Sequence, residues 1–276
     1  MSAGVLAVIG VGGMGQAIAR RQGGGKHVLL ADFNDATLQS AAAALRDEGY
    51  DVSTRLVDVS SRESVHALAL AAADVGDVTE LVHTAGLSPA QAPTAAIFAV
   101  DLLGVALVLD EFADVIAPGG AGVVISSMAG HLGVPLTAEQ EGLLATTPAD
   151  ELLGLPFVAA DNHDAGFAYS LAKRANHLRV RAASRAWGVR GARVNSISPG
   201  VISTAMGQQE LAGESGARMR AMVQASGTGR FGTPNDIADA AAFLLGPTSS
   251  FVTGTDLLVD GGVVAIARLP RPAVIA

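Results

Sequence analysis

The chain has 276 residues, of which half are hydrophobic, 16% are charged and only 4% are aromatic, so it can build a large core from Ala, Val, Leu and Ile. The net charge of −8 and the pI of about 5.1 argue against nucleic-acid or anionic-membrane partners, because both require clustered Lys and Arg. Cysteine is absent and the six histidines show no paired metal spacing, which excludes disulfides and thiolate chemistry and leaves no metal expected.

Short apolar runs alternate with longer Ala-rich stretches along the chain. The predicted strands cover residues 5–9, 27–31, 52–57, 80–83, 122–126, 193–196 and 256–259. The predicted helices cover residues 14–22, 35–48, 61–73, 97–116, 166–187 and 235–245, and the second is capped by Asn34 or Asp35. This alternation predicts an α/β fold with a single Rossmann-type domain over residues 1–276, in which a doubly wound parallel sheet of about seven strands carries helices on both faces.

Two stretches, residues 132–165 and 206–229, do not fit the alternation. Structureless segments of this length in a compact domain are usually lids or mobile loops, and we expect those roles here. The N-terminal apolar run has no basic segment before it, and no apolar stretch is long enough to span a bilayer. We therefore expect a cytoplasmic protein.

A glycine-rich turn follows the first predicted strand and opens the first predicted helix. The run from Gly10 to Gly15 satisfies G-x-G-x-x-G at Gly10, Gly12 and Gly15. Such glycines permit a tight turn and let backbone amides approach a pyrophosphate at the helix N-terminus. The motif alone is weak, but its strand–turn–helix context predicts a dinucleotide site.

An acidic residue, Asp32, follows the second predicted strand. A carboxylate about twenty positions beyond the glycines accepts hydrogen bonds from the adenosine ribose hydroxyls. Its charge would repel a 2′-phosphate, and the neighbouring Phe33 and Asn34 offer no counter-cation. NAD is therefore expected as the cofactor in preference to NADP.

Tyr169 and Lys173 lie early in a predicted helix, where the i, i+4 spacing places both side chains on one face. A free tyrosine titrates near a pKa of about 10, which is too high for proton exchange with an alcohol at neutral pH. A neighbouring ammonium group lowers that pKa by stabilising the phenolate. The pair is a candidate acid–base centre, although chance pairs of this kind are frequent.

Taken together and in order, the motifs resemble those of the short-chain dehydrogenase/reductase family along nearly the whole chain. The matching segments are the glycine turn 10–15, Asp32, Asp58-Val59, Thr84-Ala85-Gly86, residues 126–130, Tyr169 with Lys173, residues 195–200 with Thr204, and residues 259–262. Within residues 126–130, the fit to the glycine three positions later selects Ser127. The resemblance implies an oxidoreductase that interconverts a secondary alcohol and a ketone.

The resemblance also implies a role for each matching residue. Tyr169 would be the general acid/base, Lys173 would lower its pKa and bind the nicotinamide ribose, and Ser127 would hydrogen-bond the substrate oxygen. The backbone of Ile202 and the side chain of Thr204 would hold the carboxamide. Asp58 and Val59 would meet the adenine. The other residues expected near the cofactor are Met14, Phe33, Thr84, Ala85, Gly86, Pro199 and Gly200.

The chain departs from the family pattern in three places. The glycine turn is one residue shorter than the family's T-G-x-x-x-G-x-G, with Ile9 in place of its Thr, so pyrophosphate contacts are expected to differ. Asp101 stands where the family has the asparagine that supports a water in the proton relay from the lysine, and it adds charge near Lys173. Ser127 and Tyr169 are 42 positions apart (169 − 127), against about a dozen in most members.

The extra residues form an insert over 131–165 that is rich in apolar side chains. An insert at this place resembles that of bacterial 3α-hydroxysteroid dehydrogenase/carbonyl reductases. It is interpreted either as a cover over a bulky hydrophobic alcohol, such as a steroid or terpenoid, or as a subunit interface. Residues 205–229 lie where the family has its substrate lid. Within them, Met206, Leu211, Met219 and Met222 either line the pocket or pack the lid on the core.

Two other functions compete with this interpretation. A non-catalytic NAD-binding regulatory protein on the same fold is supported only by Asp101. A nucleotide-sugar epimerase uses a similar Tyr–Lys pair, but it usually carries a larger C-terminal domain, for which the 14 residues after Gly262 (276 − 262) leave no room. Helices 97–116 and 166–187 are expected to pair between subunits, as in the family's tetramers, so a homotetramer or homodimer is expected. The tail 263–276 is expected to reach across an interface.

Overall fold

A computed structural model of the protein describes residues 4–213 and 215–269. One parallel sheet of seven strands, in the order β3-β2-β1-β4-β5-β6-β7, forms its centre. The strands are β1 (Val5–Ile9), β2 (His27–Asp32), β3 (Asp51–Leu56), β4 (Val78–His83), β5 (Ile116–Ile125), β6 (Arg193–Pro199) and β7 (Asp256–Val259). The predicted Rossmann-type fold is confirmed.

Helices cover both faces of the sheet. They are α1 (Gly13–Gln22), α2 (Asp35–Asp47), α3 (Arg62–Val75), α4 (Thr94–Ile97), α5 (Val105–Ala113), α6 (Ala129–Leu132), α7 (Ala138–Thr146), α8 (Ala165–Val189), α9 (Ala205–Ala212), α10 (Gly216–Ala225), α11 (Pro234–Leu245) and α12 (Val263–Ala267). Within the described ranges, none of them is both long enough and apolar enough to cross a membrane.

The side chains of β1 show how the sheet builds two cores. Val5, Ala7 and Ile9 face the core that contains α3, α5 and α8, whereas Leu6 and Val8 face the core that contains α1, α2 and α11. Successive strand residues point to opposite faces, so a strand covered by helices on both sides must be apolar throughout. All five residues of β1 are buried, as this arrangement requires.

The region predicted as one α-helix over residues 97–116 differs from the prediction. A π-helical segment, Phe98–Gly104, separates α4 from α5, and β5 already begins at Ile116, before the predicted start at residue 122. Ile116 pairs with Val78, after which the register shifts before pairing resumes at Ala121. Gly119 and Gly120 lie in that interruption, so the apolar pattern of the strand is broken there.

The insert over 131–165 is ordered by short helices, which corrects the expectation of a structureless segment. It contains α7 and the 3₁₀ helices Ala149–Gly154, Pro156–Val158 and Ala160–Asn162. Thr137 and Gln140 form a capping box at the start of α7, a motif that is readable in the sequence. Leu144, Leu152 and Val158 are buried in the same core as α8. The insert is therefore part of the domain core.

The insert also bears on the expected pairing of long helices between subunits. From Leu171 to Val180, every residue of α8 except Arg174 is buried within this chain. Arg174 pairs with Glu141 of α7, and Arg179 donates to the carbonyl oxygen of Thr147. The apolar face that was expected to meet a second subunit is thus already covered over this stretch. Residues 270–276 of the tail lie outside the described residues.

The integration of the insert leads to a stability prediction. Leu152 is 0% exposed and Leu153 is 40% exposed. We expect Leu152→Ala to lower the free energy of unfolding by about 2–5 kcal/mol, because it leaves a cavity in the core. Leu153→Ala is the matched control, with an expected change within about 0.5 kcal/mol. Urea unfolding followed by circular dichroism measures both, and equal losses would contradict the placement of the insert.

Candidate active site

A cavity of about 780 Å³ opens beside the carboxyl ends of the strands. Ligands in open α/β sheets bind at this edge. The predicted residues that line the cavity are Met14, Ser127, Tyr169, Pro199, Gly200, Ile202 and Thr204. They come from widely separated segments of the chain, so the fold brings the predicted catalytic and nicotinamide-side residues together.

Tyr169 and Lys173 are placed together by α8. The Nζ atom of Lys173 lies 5.3 Å from the centroid of the Tyr169 ring, as the i, i+4 spacing predicts. Burial raises the pKa of Tyr169 above its usual value, the ammonium of Lys173 lowers it, and the carboxylate of Asp101 raises it again. Lys173 is therefore the charged group that favours the phenolate form of Tyr169. The negative charge of Asp101 opposes this effect of Lys173.

Asp101 contacts Lys173 directly. Its Oδ1 atom lies 2.7 Å from Lys173 Nζ, and its Oδ2 atom accepts from the amide of Leu87 at 3.0 Å. Burial raises the pKa of Asp101. For Lys173, burial disfavours the ammonium, but Asp101 and the Tyr169 phenol raise its pKa above the usual value. Asp101 and Lys173 therefore form a buried ion pair beside Tyr169.

Two local features make this ion pair possible. Asp101 lies in the π-helical segment, where the backbone is wider than in an α-helix. Gly86 leaves room for the two side chains, because a Cβ atom there would lie 2.6 Å from Asp101 Oδ1 and 3.2 Å from Lys173 Nζ. The sequence motif places Asp101 at the family's asparagine position, but the direct contact depends on this three-dimensional setting.

The two serines after β5 have different surroundings. The Ser126 hydroxyl is buried and donates to the carbonyl oxygen of Lys173 at 2.8 Å. The Ser127 hydroxyl accepts from the amide of Ala129 and contributes to lowering the pKa of Tyr169. The arrangement therefore agrees with the choice of Ser127 as the serine that faces a reacting oxygen.

The glycine turn is packed where side chains would collide. Gly10 has φ +91°, and a Cβ atom on Gly15 would lie 2.0 Å from the carbonyl oxygen of Gly10. In contrast, a Cβ atom on Gly12 would meet no atom within 4 Å. Thr84 closes the turn from the neighbouring strand by donating its hydroxyl to the Gly10 carbonyl oxygen at 2.6 Å.

The N-terminus of α1 lies at the glycine turn and is open to a ligand. Helix α1 has no side-chain cap at Gly12, whereas Asn34 caps α2 and Asp164 caps α8. Its first amides therefore point to the open space at Gly12 with no partner side chain there, which is the donor arrangement that phosphates occupy at helix N-termini. The residues present fit the phosphates of a dinucleotide, in spite of the shorter turn.

The predicted adenosine-side residues lie at the ends of β2 and β3. Asp32 Oδ2 accepts from the amide of Val11 at 2.8 Å, which ties the carboxylate to the glycine turn. Phe33 beside it is 77% exposed. Asp58 Oδ1 accepts from the amide and hydroxyl of Ser60, and Val59 is buried. Asp32 is thus held at the turn, in a position suited to a ribose.

Residues 205–212 and 216–225 form α9 and α10, in the segment where a structureless lid or mobile loop was expected. Thr204 caps α9 by accepting from the amide of Gly207. Met206, Met219 and Met222 line the cavity, whereas Leu211 packs in a small core with Val201 and Val223. Of the two alternatives for these four residues, the three methionines thus follow the first, as cavity lining, and Leu211 follows the second, as a packing residue.

Sequence reasoning missed several cavity residues, among them Met128, Phe167 and Glu210. Met128 directly follows the serine motif and Phe167 precedes Tyr169 by two positions, so proximity to the motifs was an available signal. Glu210 lies in no recognised motif, so the sequence provided no signal for it. Burial raises its pKa. Of the insert, only its first part, at Gly133 and Val134, lines the cavity, and the rest of the insert lies away from it.

Comparison with known proteins gives a consistent set of relatives. Residues 4–139 match the family described as short chain dehydrogenase, and residues 155–264 match the family described as enoyl-(acyl carrier protein) reductase. The short-chain dehydrogenase/reductase bsc3 of Alternaria brassicicola is 43% identical over 98% of each chain. The 3-alpha-hydroxysteroid dehydrogenase/carbonyl reductase of Comamonas testosteroni is 33% identical over 68% of this chain and 73% of its own.

The fold has close counterparts among solved structures. A short-chain dehydrogenase/reductase from Serratia marcescens superposes with a TM-score of 0.74 over 95% of this chain and 98% of its own. The sequence identity of that pair is 22%, so the likeness concerns the fold alone.

Proposed function

This chain belongs to the short-chain dehydrogenase/reductase family, and on that premise we propose that it is an NAD(H)-dependent enzyme that interconverts a secondary alcohol and a ketone. The observation that carries the proposal is the meeting of Ser127, Tyr169 and Lys173 beside one cavity. The family as a whole supports an oxidoreductase with a nicotinamide cofactor. The preference for NAD, the substrate class and the role of Tyr169 are our inference.

The preference for NAD is supported by the end of β2. The Asp32 carboxylate, held by the Val11 amide, would accept from ribose hydroxyls and repel a 2′-phosphate. Phe33, exposed beside it, offers no positive charge to offset that repulsion.

The cavity lining supports a bulky hydrophobic substrate. All five methionines after Met1 line it, namely Met14, Met128, Met206, Met219 and Met222. Thioether side chains are flexible and polarisable, so they adapt to large apolar surfaces of varied shape. We therefore propose a steroid-like or terpenoid-like alcohol or ketone as the substrate class.

In the proposed mechanism, the chain's own groups handle the proton. When bound, NAD supplies the hydride acceptor for oxidation, with Ile202, Thr204 and Lys173 as its nicotinamide-side contacts. Ser127 hydrogen-bonds the substrate oxygen, and Tyr169 takes the hydroxyl proton as the carbonyl forms. Lys173 stabilises the phenolate form of Tyr169 that accepts this proton, and the carboxylate of Asp101 beside Lys173 opposes that stabilisation.

Calorimetric titration with NAD(H) and NADP(H), followed by a panel of alcohols, tests this proposal. We expect NAD to bind at least about tenfold more tightly than NADP, with turnover of bulky apolar secondary alcohols. In Asp32→Ser, we expect the preference for NAD to fall, while Asp35→Ser on the first turn of α2 serves as a control that keeps it. A preference for NADP in the unmodified protein would overturn our interpretation of Asp32.

The alternative of a non-catalytic NAD-binding protein rests on the buried Asp101–Lys173 ion pair. Reduced-cofactor turnover with any carbonyl would exclude it. A homotetramer or homodimer and a cytoplasmic location stay predictions. For the assembly, the coverage of α8 by the insert favours an interface elsewhere on the chain.

A further inference from the structure

Three side chains that commonly bind transition metals meet where α6, α8 and β7 come together. His131 lies on α6, His177 on α8 and Asp256 at the start of β7. One ligand atom from each lies within 4.8 Å of the others, and among the described residues this is the one such group of three. We propose that His131, His177 and Asp256 bind a single transition-metal ion of the Zn²⁺ type.

The distances suit such an ion. Zinc bonds of about 2.0–2.2 Å in tetrahedral geometry separate neighbouring ligand atoms by about 3.3 Å. His177 Nε2 lies 3.4 Å from Asp256 Oδ1. His131 Nε2 and Asp256 Oδ2 lie 2.6 Å apart and form a direct hydrogen bond. An entering ion would replace this bond and lengthen the distance between the two atoms by less than about 1 Å.

The surrounding polar groups hold the proposed ligands in place. Asp256 Oδ1 accepts from the hydroxyls of Ser196 at 2.6 Å and Ser198 at 3.0 Å, and hydrogen bonds of this kind orient metal-binding carboxylates. Ser198 Oγ also lies 2.8 Å from His177 Nε2, the proposed ligand atom, so an entering ion would replace that hydrogen bond. The other ring nitrogen, His177 Nδ1, is buried and has no hydrogen-bond partner among the described residues. The imidazole of His177 therefore makes its polar contact through Nε2, the nitrogen that faces the cluster.

Access and charge define which ion fits. The side chains of His131 and Asp256 are 20% and 11% exposed, so an ion can enter from that side and a water molecule can complete its coordination. One carboxylate and two imidazoles suit Zn²⁺, Co²⁺ or Ni²⁺, and supply too few oxygens for Ca²⁺ or Mg²⁺. The positive charges of Arg174 and Arg181 act on His177 and oppose an added cation, which weakens its binding.

A bound ion would join three elements close to the active site. His177 lies one helical turn beyond Lys173, and His131 lies four positions after Ser127. A Cβ atom on Gly130 would lie 2.7 Å from His177 Cε1, which shows how closely α6 packs on α8. The ion would therefore stabilise the folded state and tie edge strand β7 to the helix that carries Tyr169.

The test uses the full chain, freed of any histidine tag and treated with a chelator, and is independent of the proposed enzymatic function. Calorimetry with Zn²⁺ measures stoichiometry, and visible absorption with Co²⁺ reports nitrogen and oxygen ligation directly. We expect one ion per chain and a higher melting temperature with Zn²⁺. In His131→Ala and Asp256→Asn, we expect the affinity for Zn²⁺ to fall at least about tenfold.

His66→Ala is the matched control, because His66 also pairs with a carboxylate, Glu111, at 2.8 Å on the surface. We expect this variant to bind Zn²⁺ as the unmodified protein does. The absence of Zn²⁺ binding would overturn the proposal and leave a hydrogen-bonded cluster only. Binding that survives His131→Ala in a variant with unchanged circular dichroism would also overturn it, because the ion would then lie elsewhere.

Discussion

Replacing Tyr169 by phenylalanine is expected to lower kcat by about 10²–10⁴-fold, the usual contribution of a positioned acid–base group. The change removes the hydroxyl that takes the proton and keeps the ring that packs beside Lys173. The proposed cofactor contacts are mainly backbone amides and Asp32, so the affinity for the cofactor should be nearly unchanged. Steady-state kinetics with the best substrate of the alcohol panel, together with calorimetry of NADH binding, separates these two effects.

Tyr50→Phe is the matched control, since Tyr50 is the other of the two tyrosines in the chain. Its hydroxyl donates to the carbonyl oxygen of Arg20 at 2.8 Å, away from the cavity. We expect this variant to lose about 1 kcal/mol of stability and no activity. If Tyr169→Phe retained most of the kcat, another group would have to carry the proton, and the proposed mechanism would be wrong.

The parts of the site that the sequence predicted are those set by local geometry. The glycine turn, the Tyr169–Lys173 pair and the cap at Asn34 each depend on a few neighbouring residues, and each has a fixed spacing. The central strands were predicted for a related reason, because burial on both faces makes a strand such as β1 apolar throughout. Only the bounds of β5 were substantially displaced, where glycines interrupt its register.

The parts that the sequence did not predict depend on contacts between distant segments. The ordered insert follows from burial of Leu144 and Leu152 in the core that contains α8, and short helices leave too few turns for a visible period. The meeting of His131, His177 and Asp256 needs three elements far apart in the chain, so no spacing marks it. The π-helical turn at Asp101 likewise has no sequence signature that we could use.

Replacing Asp101 by asparagine is expected to move the pH profile of alcohol oxidation toward lower pH by on the order of one unit. Oxidation needs Tyr169 to accept a proton, so activity rises as the pH passes the pKa of this group. In the unmodified chain, burial raises that pKa and the Asp101 carboxylate raises it further, while Lys173 lowers it. Asparagine keeps the shape and an oxygen to accept from Leu87, but removes the negative charge.

The ammonium of Lys173 would then act on Tyr169 without the opposing carboxylate 2.7 Å away, and the rate at neutral pH should increase. Asp110→Asn is the control, because this carboxylate on the following helix is partly exposed beside Arg62 and should leave the profile unchanged. The measurement is kcat/KM for the alcohol as a function of pH in the three proteins. An unchanged profile in Asp101→Asn would mean that the carboxylate does not set the pKa of Tyr169. A shift to higher pH would mean that buried Lys173 stays charged only with Asp101 beside it. Either result would contradict the prediction.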